Sequence, residues 1–175
     1  MLEYCLHHTR TRPTELLPDL TGPLALHAEY TRDEALIGLG HWNLDRRPDF
    51  REGVLHIPDR KIDAFFITLQ KTEEAYSPTT MYEDYAISEE LFHWQSQSTT
   101  SADSPTGQRY IRHREHGYTP LLFVRERKLL PGGLAAPYAF LGPAFYVSHE
   151  GSRPLSIVWR LRTRMPTRLA RVAVG

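Results

Sequence analysis

Hydrophobic residues along this chain fall into short runs separated by proline, glycine and charged clusters. Residues 53–57 (GVLHI), 62–69 (IDAFFITL), 119–125 (TPLLFVR), 138–149 (YAFLGPAFYVSH) and 155–162 (LSIVWRLR) have the length and the β-branched and aromatic content of strands. The run at 62–69 is apolar at consecutive positions near its middle, which predicts a central strand buried on both faces. Residues 92–98 alternate instead: Phe92, Trp94 and Ser96 point one way, His93, Gln95 and Gln97 the other. The last run alternates in the same manner, with Ile157, Trp159 and Leu161 opposed to Val158, Arg160 and Arg162. Gly142-Pro143 interrupts its strand as a bulge or a hairpin turn.

Helical signals are fewer. Thr31 followed by Glu34 is a capping box, Ala35, Leu36 and Leu39 give one apolar side, and Gly38 or Gly40 ends the helix. Thr80 and Glu83 form a second such pair, predicting a short helix over 81–86 with Tyr82 and Tyr85 on one face. The tail after Pro166, carrying Leu169 and Val172, suits a short docked helix. About six short strands with a few short helices predict an α+β fold, a small curved β-sheet or barrel.

A chain of 175 residues that is 41% hydrophobic is long enough for one globular core. Residues 1–29 read as a proline-punctuated extension and 30–175 as a single domain. The longest apolar runs fall short of a membrane span, and the N-terminus lacks a basic-then-apolar leader pattern, so the expectation is a cytoplasmic protein. Cys5 is the sole cysteine, which excludes an internal disulfide and a cysteine-built metal site. Net charge is zero, yet residues 1–108 carry nine Lys+Arg against eighteen Asp+Glu, and residues 109–175 carry twelve against three. The basic half either meets phosphates or pairs with the acidic half within one fold.

Catalytic patterns do not assemble. His113 and His116 stand three apart without the H-E-x-x-H arrangement or an evident third ligand. No G-x-S-x-G elbow is present, no G-K-[ST] follows Gly132-Gly133, and the acid and lysine order of a two-metal nuclease is missing. The expectation is a non-enzymatic protein with no metal and no cofactor.

Binding chemistry is concentrated between residues 76 and 112. Rings beside amides, a carboxylate and a basic exit suit the capture of a planar base from a polyanion. Tyr82, Tyr85 and Trp94 are candidate walls for an extruded base, and Asp84 is the candidate acceptor for the N4 amino group of cytosine. His93, Gln95 and Gln97 add hydrogen-bonding groups beside them. The opposing reading makes these aromatics part of the core. A 5-methyl group would be read by fit, worth about 1 kcal/mol. The polar stretch 98–108 is either a surface connection or a finger that enters a groove, with Gln108, Arg109 and Arg112 touching the opposite base or the phosphates. Lys71, Arg125 and Arg160 are further candidates for phosphate contact.

The blocks FITLQK, YSPTTMYEDYAISEELFHWQSQS, SPTGQRY, LLFVRE, FLGPAFYVSHEG and P-x-S-I-V-W resemble the C-terminal domain of SauUSI-type modification-dependent restriction enzymes, over roughly residues 30–166. The resemblance implies a fold similar to SRA and PUA-like barrels and recognition of 5-methylcytosine in double-stranded DNA by base flipping. It points to a stand-alone actinobacterial relative that binds without cutting, since this chain has no room for the nuclease and ATPase of those enzymes. A nucleoid-associated location, a separately encoded helicase or nuclease partner, and a homo-oligomer are compatible with it. An RNA- or modified-nucleotide-binding PUA-like module and a protein-interaction domain are the alternatives.

Overall fold

The computed structural model describes residues 23–42, 50, 53–69 and 84–172. Within them the chain runs β1 (Glu29–Tyr30), α1 (Arg32–Gly38), β2 (Val54–Ile57), β3 (Ile62–Thr68), β4 (Tyr85–Ala86), β5 (Leu91–Gln95), α2 (Pro105–Ile111), β6 (Thr119–Arg125), β7 (Tyr138–Glu150), β8 (Ser156–Leu161) and α3 (Thr167–Val172). A 3-10 turn, Pro58–Arg60, joins β2 to β3. The eight strands form one open sheet in the order β2-β3-β6-β7-β8-β5-β4, with β1 paired to β7. The β3–β6 pair is parallel and the other pairs are antiparallel. The fold is α+β, a small curved sheet with a few short helices, in agreement with the hydrophobic pattern.

All seven residues of β3 are buried, because both of its faces are covered. On one face Phe65 and Ile67 join a cluster with Phe92, Trp94, Leu141, Trp159 and Leu169. The Phe65 ring lies 4.9 Å from Trp94, 5.3 Å from Tyr110 and 5.4 Å from Trp159, so the sheet curls until β5 and β8 lie across β3. On the other face Ala64 and Phe66 pack with Leu24, Leu36, Leu39, Phe123 and Tyr138, which is where α1 sits. Burying an aromatic or large aliphatic side chain contributes about 1.5–3 kcal/mol, so alternation along one strand feeds two cores.

Helix α1 has the predicted start. Thr31 accepts from the Glu34 backbone N–H, and Glu34 accepts from Thr31 at 2.7 Å. That reciprocal bonding holds the Glu34 carboxyl below its usual range. Packing begins ahead of residue 30: Leu24 and Leu26 are buried, and Leu24 joins the core beneath α1. At the far end α3 docks through Leu169, which is buried.

Two expectations change. The stretch read as a helix over 81–86 holds a strand at Tyr85–Ala86, where Tyr85 pairs with His93 and Ala86 with Phe92; residues 81–83 lie outside the described ones. Partners on β5 outweigh the local capping signal. The stretch 98–108, read as either a surface connection or a groove-entering finger, runs into helix α2 and is bonded to it. Ser104 caps α2 by accepting from the Gly107 N–H, Pro105 occupies the first turn, and Gln108 Nε2 donates to Ala102 O at 2.9 Å. A Cβ on Gly107 would collide with the backbone oxygens of Ser101 and Ala102, so glycine lets the helix seat on its own loop.

His113 shows how tightly the two halves are keyed. Its side chain is buried, its Nδ1 lies 3.0 Å from Tyr118 O, and its Nε2 accepts from the Tyr146 N–H at 3.1 Å. One ring nitrogen must donate and the other accept, which specifies the neutral imidazole. Burial pushes its pKa below the ordinary 6.5, and Arg114 adds to this against the opposing Tyr118 bond. Burial lowers His27 as well. The native state then binds fewer protons than the unfolded chain. Stability present above 6.5 declines as pH falls through that value toward the folded-state pKa. Thermal midpoints should therefore drop between about pH 7.5 and about pH 5.5, and a ring-proton NMR titration of His113 should inflect below 6.5. An inflection at or above that value would remove the tautomer assignment.

Candidate functional site

Curling the sheet brings its two ends toward each other without joining them. A cavity of about 590 Å³ occupies the seam. One wall comes from β2 and β3 through Val54, His56, Phe66 and Thr68; the opposite wall comes from Asp84 and from Trp94 and Gln95 of β5. Gln97, Thr99, Thr100 and Ser104 of the capped loop close one side, with Thr106, Arg109 and Tyr110 of α2. Arg32, Gly53, Arg125 and Tyr138 complete the lining.

Each arginine is anchored. Arg32 Nη2 donates to the Tyr138 hydroxyl at 3.0 Å and Nη1 to Phe50 O at 3.4 Å. Arg125 donates to Thr68 Oγ1 at 2.9 Å and to Ala136 O at 3.1 Å. The Tyr138 ring lies under both guanidinium groups, at 4.3 Å from Arg125 and 5.8 Å from Arg32. Arg109 is tied to Asp63, a buried carboxylate near the start of β3. Its Nε donates to Asp63 Oδ2 at 2.9 Å and Oδ1 at 3.2 Å, and His56 Nδ1 lies 2.9 Å from Oδ1. Burial would lower the Arg109 pKa, but the hydrogen bond and charge of Asp63 outweigh it and hold the guanidinium above its usual value. Three fixed cations thus face a cavity whose one lining carboxylate, among the described residues, is Asp84.

Six residues singled out by sequence line this cavity: Asp84, Trp94, Gln95, Gln97, Arg109 and Arg125. Asp84 Oδ1 accepts from the Gln95 backbone N–H at 2.9 Å, so its carboxylate also ends β5. Trp94 is 6% exposed and meets Phe65 and Tyr110 edge-on, making it a wall of both core and cavity. Tyr85 and His93 stack on each other with ring centroids 4.6 Å apart, outside the lining. Gln108 serves the loop ahead of α2, and Arg112 and Arg160 are exposed away from the cavity. Lys71 and Tyr82 lie outside the described residues.

Arg32, His56, Phe66, Thr68 and Tyr138 line the cavity without having been singled out by sequence, and Asp63 stands behind it. One signal was available. A carboxylate inside the run IDAFFITL, read as buried on both faces, must be paired with a cation. The partner is not legible, because Arg109 is far away in the chain. Among the described residues no group of three or more His, Cys, Asp or Glu is placed to hold a metal ion, and no helix is long and apolar enough to cross a membrane. Flat apolar walls, one carboxylate and fixed guanidinium groups suit a planar, hydrogen-bonding ligand that carries negative charge.

Residues 24–172 match a family described as domain of unknown function, DUF3427. No match was found among curated proteins.

The Asp63–Arg109 pair makes a direct stability prediction. Asp63→Ala leaves Arg109 half-buried without its acceptor and frees α2 from β3. A loss of roughly 1.5–3 kcal/mol is expected, the range for a hydrogen bond to a charged group. Urea denaturation measures it, and a loss below about 0.5 kcal/mol, the ordinary surface range, would contradict the anchoring role.

Proposed function

The chain belongs to the DUF3427 family, and from the geometry of its seam cavity we propose that it is a non-enzymatic DNA-binding module that takes up 5-methylcytosine extruded from a duplex. The observation that carries this reading is the lining itself: Trp94, Tyr110 and Phe66 beside Asp84, with Arg32, Arg109 and Arg125 around them. A volume of about 590 Å³ lies within the range of small-ligand sites. A cytosine needs ring or apolar faces and an acceptor for its N4 amino group. Asp84 is the acceptor, since an ionised carboxylate can accept several hydrogen bonds at once, the one from Gln95 N among them. The guanidinium groups supply phosphate partners. The resemblance to the C-terminal domain of SauUSI-type enzymes supports the choice of 5-methylcytosine over other planar ligands.

Anchoring favours such a role. Arginines already held by Asp63, Thr68 and Tyr138 have less side-chain entropy to lose on binding. Discrimination of the methyl group rests on fit, and about 1 kcal/mol corresponds to roughly fivefold in affinity. A DNA-bound, nucleoid-associated protein that recruits a separate helicase or nuclease is consistent with this chemistry.

A mobility shift on one duplex carrying cytosine, 5-methylcytosine or 5-hydroxymethylcytosine tests the proposal. The methylated duplex should bind about fivefold more tightly than the unmodified one. Asp84→Ala should weaken binding and change that ratio, with circular dichroism confirming the fold because Asp84 also bonds β5. Equal affinity for all three duplexes would sink the reading. Stronger competition by matched RNA would transfer the site to RNA.

A further inference from the structure

A second cavity, of about 250 Å³, adjoins the first and shares His56 and Arg109 with it. Its other lining residues are Lys61, Pro105, His116 and Tyr118. The basic groups come from separate pieces of chain: His56 from β2, Lys61 from the turn before β3, Arg109 from α2, and His116 from the segment before β6. No carboxylate is among the described residues that line it. Asp63 lies behind the wall, already engaged with Arg109 and His56.

The donors are arranged for an external acceptor. Among the described residues Arg109 bonds through Nε to Asp63, and its Nη atoms make no protein hydrogen bond. Lys61 Nζ donates once, to His116 O at 3.2 Å, and an ammonium has three donors. The Tyr118 ring gathers these groups: Lys61 Nζ lies 5.2 Å from its centroid, the Arg109 guanidinium 5.8 Å, and the His56 ring 5.3 Å in a stacked pose. Partly satisfied cations concentrated in a concave surface with no facing acid attract an oxyanion.

We infer that this second cavity is a phosphate subsite, filled by a backbone phosphodiester of the strand whose base occupies the first cavity. It rests on the nucleic-acid reading for the identity of the phosphate, while the oxyanion chemistry stands on the cavity itself. Arg109 is the hinge of the arrangement. Lining both cavities, it can face a phosphate from one side while Asp63 holds it from behind. Of these groups the sequence pointed to Arg109 alone for phosphate contact. Lys61 escapes notice because it sits on a turn, with a left-handed backbone at φ 55°.

Fluorescence anisotropy over a salt series tests this with the full chain, on a cytosine duplex and its 5-methylcytosine counterpart. Lys61→Gln should weaken binding to both several-fold and make the slope of log affinity against log salt shallower by about 0.9. The affinity ratio between the two duplexes should stay the same, and Lys61→Arg should restore the slope. Lys61 is exposed, so these substitutions leave the core intact. An unchanged slope and affinity in Lys61→Gln would overturn the subsite. If the wild type does not distinguish the duplexes while Lys61→Gln still flattens the slope, the base-capture reading fails and the phosphate subsite stands. If no duplex binds, thermal melts with excess inorganic phosphate decide. A rise in Tm that Lys61→Gln abolishes assigns the site to free phosphate, and no rise overturns it.

Discussion

The bend of β7 at Gly142 is the constraint on which this molecule depends. Residues 139–143 pair with β6 and residues 144–150 with β8, so a single 13-residue strand serves both parts of the sheet. The register against β6 shifts at Leu122/Phe123, and Gly142 adopts φ +80°, a conformation that side chains with a Cβ rarely reach. A Cβ there would also run into Leu26. Backbone freedom and close packing therefore both call for glycine. Because β7 bends, β8 and β5 swing across β3, and Trp94 and Trp159 close on Phe65. The two free ends of the sheet then face each other across the cavity.

Buried charge is the second organising force. A carboxylate within a fully buried strand, here Asp63 near the start of β3, is costly unless its partners are supplied. Arg109 and His56 supply them from α2 and β2. The same contacts orient two residues shared by adjacent cavities. Stability and site geometry thus draw on one network. The opposite wall has a comparable economy: Asp84 ends β5 by accepting from Gln95 N while lining the cavity. The excess of basic residues after position 108 is not gathered at one place. Arg109 and Arg125 turn inward, whereas Arg112, Arg114 and Arg160 remain exposed.

Local rules carried far into this fold. Alternation in LFHWQ and SIVWRL identified which residues face inward, and Phe92, Trp94, Ile157 and Trp159 are all buried. The Thr31–Glu34 capping box marked the start of α1. Local rules failed where a distant partner outweighed them. Tyr85 and Ala86 became strand because β5 offered backbone bonds, and the polar stretch before Arg109 became a capped helix seated on its own loop. Trp94 shows why the choice between core and pocket could not be made from sequence, since one ring serves as both.

By itself the sequence determined the α+β class, the six longer strands, helices α1 and α3, and the inward faces of β5 and β8. These follow from hydrophobic period, capping and turn chemistry, which act over a few residues. Only the tertiary structure decided that β3 pairs in parallel with β6 across a long crossover, that Asp63 meets Arg109, and that Arg32, His56 and Tyr138 join Asp84 and Trp94 around one cavity. Those are long-range choices, settled by which surfaces can be buried together once β7 has bent, and no local period encodes them.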